Sequence, residues 1–186
     1  VVDIVVASVL GVACGFVFLG WNAVGYAWYE AMDALTPGLG GLATGIWLLG
    51  GILGGLVIRK PGAAVYVEVL AATVSAVLGS QWGISTLYSG LAQGIGVEII
   101  LAIFMYRQFN LGVTILAGMA AGWGAFVLEL FTSGNLAKSF EFNIIYLVTL
   151  TISGAILAGA LGFYVVKALA KTGALDRFAV GREQRA

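Results

Sequence analysis

Residues 89–99 read SGLAQGIGVEI, and they lie inside an apolar run that extends over residues 84–105. A run of that length matches the roughly 20 residues a helix needs to cross a bilayer, yet it carries Gln93 and Glu98 near its middle. Reading it as a membrane span with polar groups fixed inside the membrane decides the fold class, and the composition agrees. Of 186 residues, 61% are hydrophobic and 10% charged, with a mean hydropathy of +1.04, whereas about a quarter of an ordinary soluble domain is charged.

Outward from this run, further apolar stretches cover residues 4–32, 39–58, 63–78, 111–131 and 142–169. Polar or turn-forming breaks separate them: 33–38 with Pro37, 59–62 with Pro61, 79–83, 106–110 and 132–141. The expectation is an all-α integral membrane protein of six transmembrane helices, forming one membrane-embedded domain over residues 1–186 with a tail from about 170 to 186. The first and last runs exceed the hydrocarbon thickness and must tilt, bend or project. Cys14 is the only cysteine, so no intrachain disulfide forms. The chain starts at Val1 without the charged start and cleavage site of a signal peptide, and sequence is expected to precede it.

Nine Lys plus Arg balance nine Asp plus Glu, which leaves no net charge to attract nucleic acid; the distribution is what informs. Six spans place both termini on one side together with Arg59, Lys60, Arg107, Lys167, Lys171, Arg177, Arg182 and Arg185, and only Lys138 falls on the other. The positive-inside rule assigns the basic side, and so both termini, to the cytoplasm. The opposite edge then carries Trp21, Asn22, Tyr26, Trp28, Tyr29, Glu30, Ser80, Gln81, Trp82, Tyr88, Glu129, Asn143 and Tyr146. An interfacial belt accounts for Trp and Tyr but has no need of Asn, Gln and Glu, which point to a polar pocket opening outward.

Small residues recur at four-residue spacing: Ala7, Gly11 and Gly15; Gly50 and Gly54; Gly51 and Gly55; Gly118 and Gly122. Such strips let helix backbones approach closely in lipid. Internal packing is the default for each, and the first could instead dock another membrane subunit. Trp82, Ser85, Ser89, Gln93 and Gly96 share one stripe of the fourth helix and Glu98 lies off it. Glu68 shares a stripe with Ala72, Ser75 and Gly79, about 12 Å into the membrane from Lys60, and Glu98 lies about 13 Å from Arg107. An unpaired charge at such depth costs several kcal/mol, so both acids need partners or a wet cavity. Glu129 continues a stripe with Gly118, Gly122 and Ala125, leaving room below it for a ligand cation. Catalysis is poorly supported: His is absent, Asp3, Asp33 and Asp176 lie outside the spans, and no GxxxxGK[ST] phosphate loop occurs. The chain reads as a non-enzyme without metal or cofactor.

RKPGAAVYVEVLAA (59–72), GSQWGISTLYSGLAQGIGVE (79–98), ELFTSG (129–134) and SGAILAGALG (153–162) resemble the YkoE family, substrate-binding S components of energy-coupling factor transporters associated with thiamine or its hydroxymethylpyrimidine precursor. The resemblance extends over essentially the whole chain. It implies an S-component-like bundle in the cytoplasmic membrane that captures a vitamin from outside and is energised by a transmembrane coupling subunit and two cytoplasmic ABC-type ATPases. It further implies that Ala7, Gly11 and Gly15 face the coupling subunit, and that the ligand lies toward the outer face among Trp28, Glu30, Trp82, Tyr88, Ser89, Gln93, Glu129, Asn143 and Tyr146. The alternative from the residues alone is an autonomous proton-coupled carrier in which Glu68 and Glu98 titrate.

Overall fold

The computed structural model describes residues 1–185, and among them regular structure is helical throughout. Helix α1 covers Val2–Leu35. A 3-10 helix over Leu39–Leu48 runs directly into α2 (Leu49–Ile58), and α3 (Ala63–Val77), α4 (Ser85–Ile103) and α5 (Leu111–Thr132) follow. After a short 3-10 turn at Asn135–Ala137, α6 (Phe140–Ser153), a π-helical stretch (Gly154–Ala160) and α7 (Leu161–Lys171) form one continuous rod, and the short α8 (Ala179–Glu183) lies in the tail. Five of these apolar segments are long enough to cross a membrane. The remaining one, α3, has 15 residues, about 22 Å of helix against a hydrocarbon core of about 30 Å.

The boundaries follow from local chemistry. The Asn110 side chain accepts the Val113 N–H at 3.0 Å to start α5, and Ser139 accepts the Phe142 N–H at 3.1 Å to start α6. At the end of α2, Arg59 adopts a left-handed conformation, φ 56°, just ahead of Pro61, which cannot extend a helix.

The second apolar run begins as a 3-10 helix where periodicity alone predicts α. The physical reason lies across the bundle on α6. Thr149 Oγ1 donates to Gly38 O at 2.8 Å, Ser153 Oγ donates to Leu42 O at 2.6 Å, and Gly45 N–H donates to Ser153 Oγ at 2.8 Å. These hydroxyls compensate for the poorer hydrogen-bond geometry of a long 3-10 run. All ten residues of α2 are buried, and α1, α3, α4 and α7 pack around it. Leu48, Ile52, Val57, Val67, Val97 and Val166 are among the most deeply buried side chains of this core. The outer surface is apolar as well, with Val5, Val9, Val12 and Phe16 exposed on α1, as lipid contact requires.

Glycine strips hold the helices together. A Cβ on Gly54 would lie 2.6 Å from Val67 Cγ2, one on Gly55 2.6 Å from Leu101 Cδ1, and one on Gly118 2.7 Å from Gly159 N. The first-helix strip packs internally, the default expectation for such strips: Ala7, Gly11 and Gly15 are buried, and Gly11 and Gly15 face α3. A Cβ added at Gly11 would lie 2.7 Å from Leu70 Cδ2, and at Gly15 2.6 Å from Val74 Cβ. The strip is occupied by the chain's own third helix.

At one end of the bundle, Lys60 pairs with Asp3 and the Arg59 guanidinium bonds both carboxylate oxygens of Glu183 at 2.5 and 2.8 Å while standing 4.5 Å over the Phe109 ring. The N-terminus, the loops that follow α2 and α4, and the tail therefore meet at a single basic end. The tail, described as far as Arg185, buries Leu175, Phe178 and Val180 against the core. Its pairing with Arg59 holds the Glu183 carboxyl below the usual glutamate value.

Candidate functional site

A cavity of about 400 Å³ opens at the end opposite the basic cluster, within the range of roughly 300–1,000 Å³ typical of small-molecule sites. Its floor is polar. Glu68, 1% exposed, accepts a short hydrogen bond from the Gly51 N–H through Oε2. The Gln93 amide, oriented so that its nitrogen meets acceptors, donates to Glu68 Oε1 at 3.1 Å and to Trp47 O at 3.2 Å. Glycines make this possible: a Cβ at Gly50 would stand 2.8 Å from Glu68 Oε2, and Gly90, where a Cβ would lie 2.7 Å from Ala72 Cβ, lets α4 press Gln93 toward α3. Beside the floor, Asn22 accepts from Trp47 Nε1 at 2.8 Å and donates to Ser75 Oγ at 3.3 Å.

The walls are aromatic. Trp82 meets Trp47 edge to face at 5.4 Å between centroids and Tyr26 at 5.5 Å, Tyr26 stacks on Tyr29 at 6.0 Å, and Tyr29 meets Tyr146 at 6.5 Å. Tyr146 donates to Glu129 Oε2 at 2.5 Å, fixing a second carboxylate on the wall. Two lining atoms, Thr44 Oγ1 and Asn135 Oδ1, are buried without a hydrogen-bond partner. Such a surface offers π faces to a flat ring, a donor and acceptor pair at its floor and carboxylates for a cation. Among the described residues, no group of three or more His, Cys, Asp or Glu side chains is placed to hold a metal ion.

Of the residues expected at the site, Trp82, Tyr88, Ser89, Gln93, Glu129 and Tyr146 line this cavity. Trp28, Glu30 and Asn143 do not. Trp28 is 43% exposed, with its ring edge-on to Trp21, and Glu30 is exposed. Asn143 instead braces the loop before α6, donating to Asn135 O at 2.8 Å and Ser139 O at 3.2 Å. The sequence reading set Asn22, Tyr26 and Tyr29 at the outward edge without choosing them for the site, and it missed Phe18, Thr44 and Trp47; all six line the cavity. Asn22, Tyr26 and Tyr29 recur at i, i+4 and i+7, a spacing that separates them from Trp28 on the helix surface, whereas Glu30 follows Tyr26 by four residues and stands beside it.

The two deep acids part company. Glu68, with Ala72 and Ser75 of its stripe, borders the cavity. Glu98 sits at the basic end, where its Oε1 accepts from the Gly62 N–H and the Tyr106 hydroxyl, both at 2.6 Å. It fastens the loop after α4 onto the start of α3, so a pathway running through both glutamates has no support in the geometry.

Three comparisons bear on this arrangement. Residues 2–124 match the family described as ABC-type cobalt transport system, permease component. The chain is 36% identical over 185 residues, 97% of its length and 89% of the relative's, to a Bacillus subtilis (strain 168) protein named as an HMP/thiamine permease, YkoE. Its fold superposes with a TM-score of 0.84 on the crystal structure of an S-component of an ECF transporter, at 34% identity, over 100% of this chain and 92% of the other.

Proposed function

We propose, because this chain belongs to the YkoE family of ECF-transporter S components, that its aromatic-walled cavity captures thiamine or the hydroxymethylpyrimidine half of thiamine from outside the cell. As an S component it is a multi-pass membrane protein that binds substrate and works with an ECF module. The finer reading is a non-enzymatic binding subunit in the cytoplasmic membrane, with its basic end and both termini inside, serving a transmembrane coupling subunit and two cytoplasmic ABC-type ATPases.

One observation carries the ligand assignment: a carboxylate and a carboxamide, Glu68 and Gln93, meet at the floor of a cavity whose walls are Trp47, Trp82, Tyr26 and Tyr29. An aminopyrimidine presents an amine donor beside a ring-nitrogen acceptor. Both Gln93 N–H groups are spent on Glu68 Oε1 and Trp47 O, which leaves the Gln93 carbonyl oxygen to accept from the amine, and the Asn22 amide, which gives one N–H to Ser75, to donate to the ring nitrogen. Its flat ring stacks on the aromatic walls. The thiazolium of thiamine is a permanent cation that needs an opposing carboxylate or aromatic faces when buried; Glu129, with Tyr146 and Tyr29 beside it, supplies them.

Calorimetry on the purified protein, with thiamine and with hydroxymethylpyrimidine, tests the reading. Tight binding of either by the isolated subunit, with uptake into liposomes only when the ATPase module is co-reconstituted, is the expected result. Absence of binding to both ligands, or ATP-independent uptake by the subunit alone, refutes it.

A further inference from the structure

The last helical rod, Phe140–Lys171, has 32 residues and is about 45–48 Å long, against a hydrocarbon core of about 30 Å. Its outward stripe runs through the exposed Ile152, Ile156 and Tyr164 and ends at Lys171, also exposed. Lys171 stands about 10 Å beyond Tyr164 along the axis. A rod centred on the hydrocarbon therefore holds the Tyr164 ring at its edge and carries the Lys167 and Lys171 ammonium groups into the headgroup layer. Residues 167–185 hold five cations and two acids. Both acids are engaged: Asp176 pairs with Arg185 while its other oxygen is buried, and Glu183 takes Arg59 from the end of α2. Among the described residues, Lys167, Lys171, Arg177 and Arg182 form no ion pair. Lys167 Nζ stands 5.1 Å over the Phe163 ring, and Arg182 spends one N–H on Arg177 O at 2.7 Å. Tight turns, with the Gly173 N–H bonded to Ala170 O and the Asp176 N–H to Gly173 O, keep Arg177 close to the end of α7.

We infer that the end of α7 and the first turns of the tail form a site for the headgroup of an anionic phospholipid, whose phosphodiester bridges the two lysines and the tail arginines. Like charges at i and i+4 repel, so Lys167 and Lys171 gain from an anion set between them. The dipole of a helix favours cations in its last turn, which accounts for Lys171 but not for Arg177 and Arg182 beyond the helix end. Continuity decides the source of the anion. The patch extends a lipid-facing stripe at the level where phospholipid phosphates lie, and four basic residues just outside a span are what an anionic leaflet attracts. An acyl chain then lies along Ile156 and Tyr164 while the phosphate meets ammonium and guanidinium donors. The site is at the end opposite the cavity and does not depend on what the cavity holds.

Native mass spectrometry of the purified full chain, in detergent with equal amounts of dioleoyl phosphatidylglycerol and dioleoyl phosphatidylcholine, tests the inference. Wild type retains phosphatidylglycerol over phosphatidylcholine by about tenfold or more, and Lys167→Gln combined with Lys171→Gln lowers the ratio to about twofold. Lys167→Arg combined with Lys171→Arg keeps the preference, which separates charge from packing, and Lys138→Gln at the opposite end leaves it unchanged. A wild type that holds the two lipids equally overturns the inference, as does a Gln double variant that keeps the preference. An equal fall in the ratio with Lys138→Gln overturns it too, since the effect is then one of total charge. Displacement of bound phosphatidylglycerol by millimolar glycerol phosphate, or by an acidic peptide, overturns it in favour of a soluble phosphate or a protein surface.

Discussion

Replacing Glu68 tests the floor of the cavity most severely. Its carboxylate satisfies two buried donors, the Gly51 N–H and the Gln93 amide, and 1% exposure leaves water no access to replace it. Glu68→Leu strands both donors, each at about 1–3 kcal/mol, so the bundle loses about 2–6 kcal/mol. Glu68→Gln keeps one acceptor oxygen but turns an NH2 toward the other donor, stranding a single group for about 1–3 kcal/mol. Thermal unfolding in detergent reads the difference: about 2 kcal/mol moves the midpoint by about 4–8 °C in a chain of this size. The expected order is wild type above Gln above Leu. The double variant Glu68→Leu with Gln93→Leu removes one stranded donor along with its partner and recovers part of the loss. A Leu variant as stable as wild type, or a double variant less stable than either single one, refutes the hydrogen-bonded floor.

Glu129→Gln weakens thiamine binding by about one to two orders of magnitude, roughly 1.4–2.8 kcal/mol, and affects hydroxymethylpyrimidine much less; calorimetry with both ligands reads the difference, and equal losses remove the charge role. Gly11→Leu forces α1 from α3 against Leu70, at about 1–3 kcal/mol or more for overpacking, so monodispersity and melting temperature fall whether or not partners are present; a stable variant that fails only in complex assembly restores the docking role. Trp47→Phe removes the indole donor to Asn22 and lowers affinity for both ligands, since Asn22 is then free to rotate; unchanged titrations place Asn22 outside recognition. The lowered carboxyl value of Glu183, due first to its hydrogen bond with Arg59, means that this contact stabilises the docked tail above the ordinary value of 4.5 and that its contribution fades as pH falls through the lowered value. Protease sensitivity of the tail rises in that acid window, and Arg59→Gln makes it high at neutral pH; a pH-independent digestion pattern contradicts the pairing.

Hydropathy made the fold class legible because lipid imposes a long apolar run on every span, whatever the run packs against. It could not show that residues 39–48 wind as a 3-10 helix, because the cause, Thr149 and Ser153, lies more than a hundred positions away. The site was half legible. The stripe of Trp82, Ser89 and Gln93 followed from helical spacing within one span, and Glu68 was marked by its depth, but Trp47 sits in a segment whose pitch is not that of an α-helix. Glu98 misled because depth counted along the chain took no account of where the turn begins: α4 ends at Ile103 and Tyr106 folds back onto the acid. The strip on α1 was open to two readings because a small-residue spacing states that a backbone comes close and leaves open whose backbone it is.

The 3-10 segment has a consequence for biogenesis. Its backbone geometry depends on hydroxyls of α6 that leave the ribosome more than a hundred residues later, and hydrocarbon tolerates irregular backbone only where protein covers it. Until the final span enters the membrane, residues 39–48 have no such cover and must wind otherwise. Thr44 and Trp47 therefore reach their places in the cavity only after α6 has been made, and a nascent chain arrested before Thr149 inserts without completing the cavity.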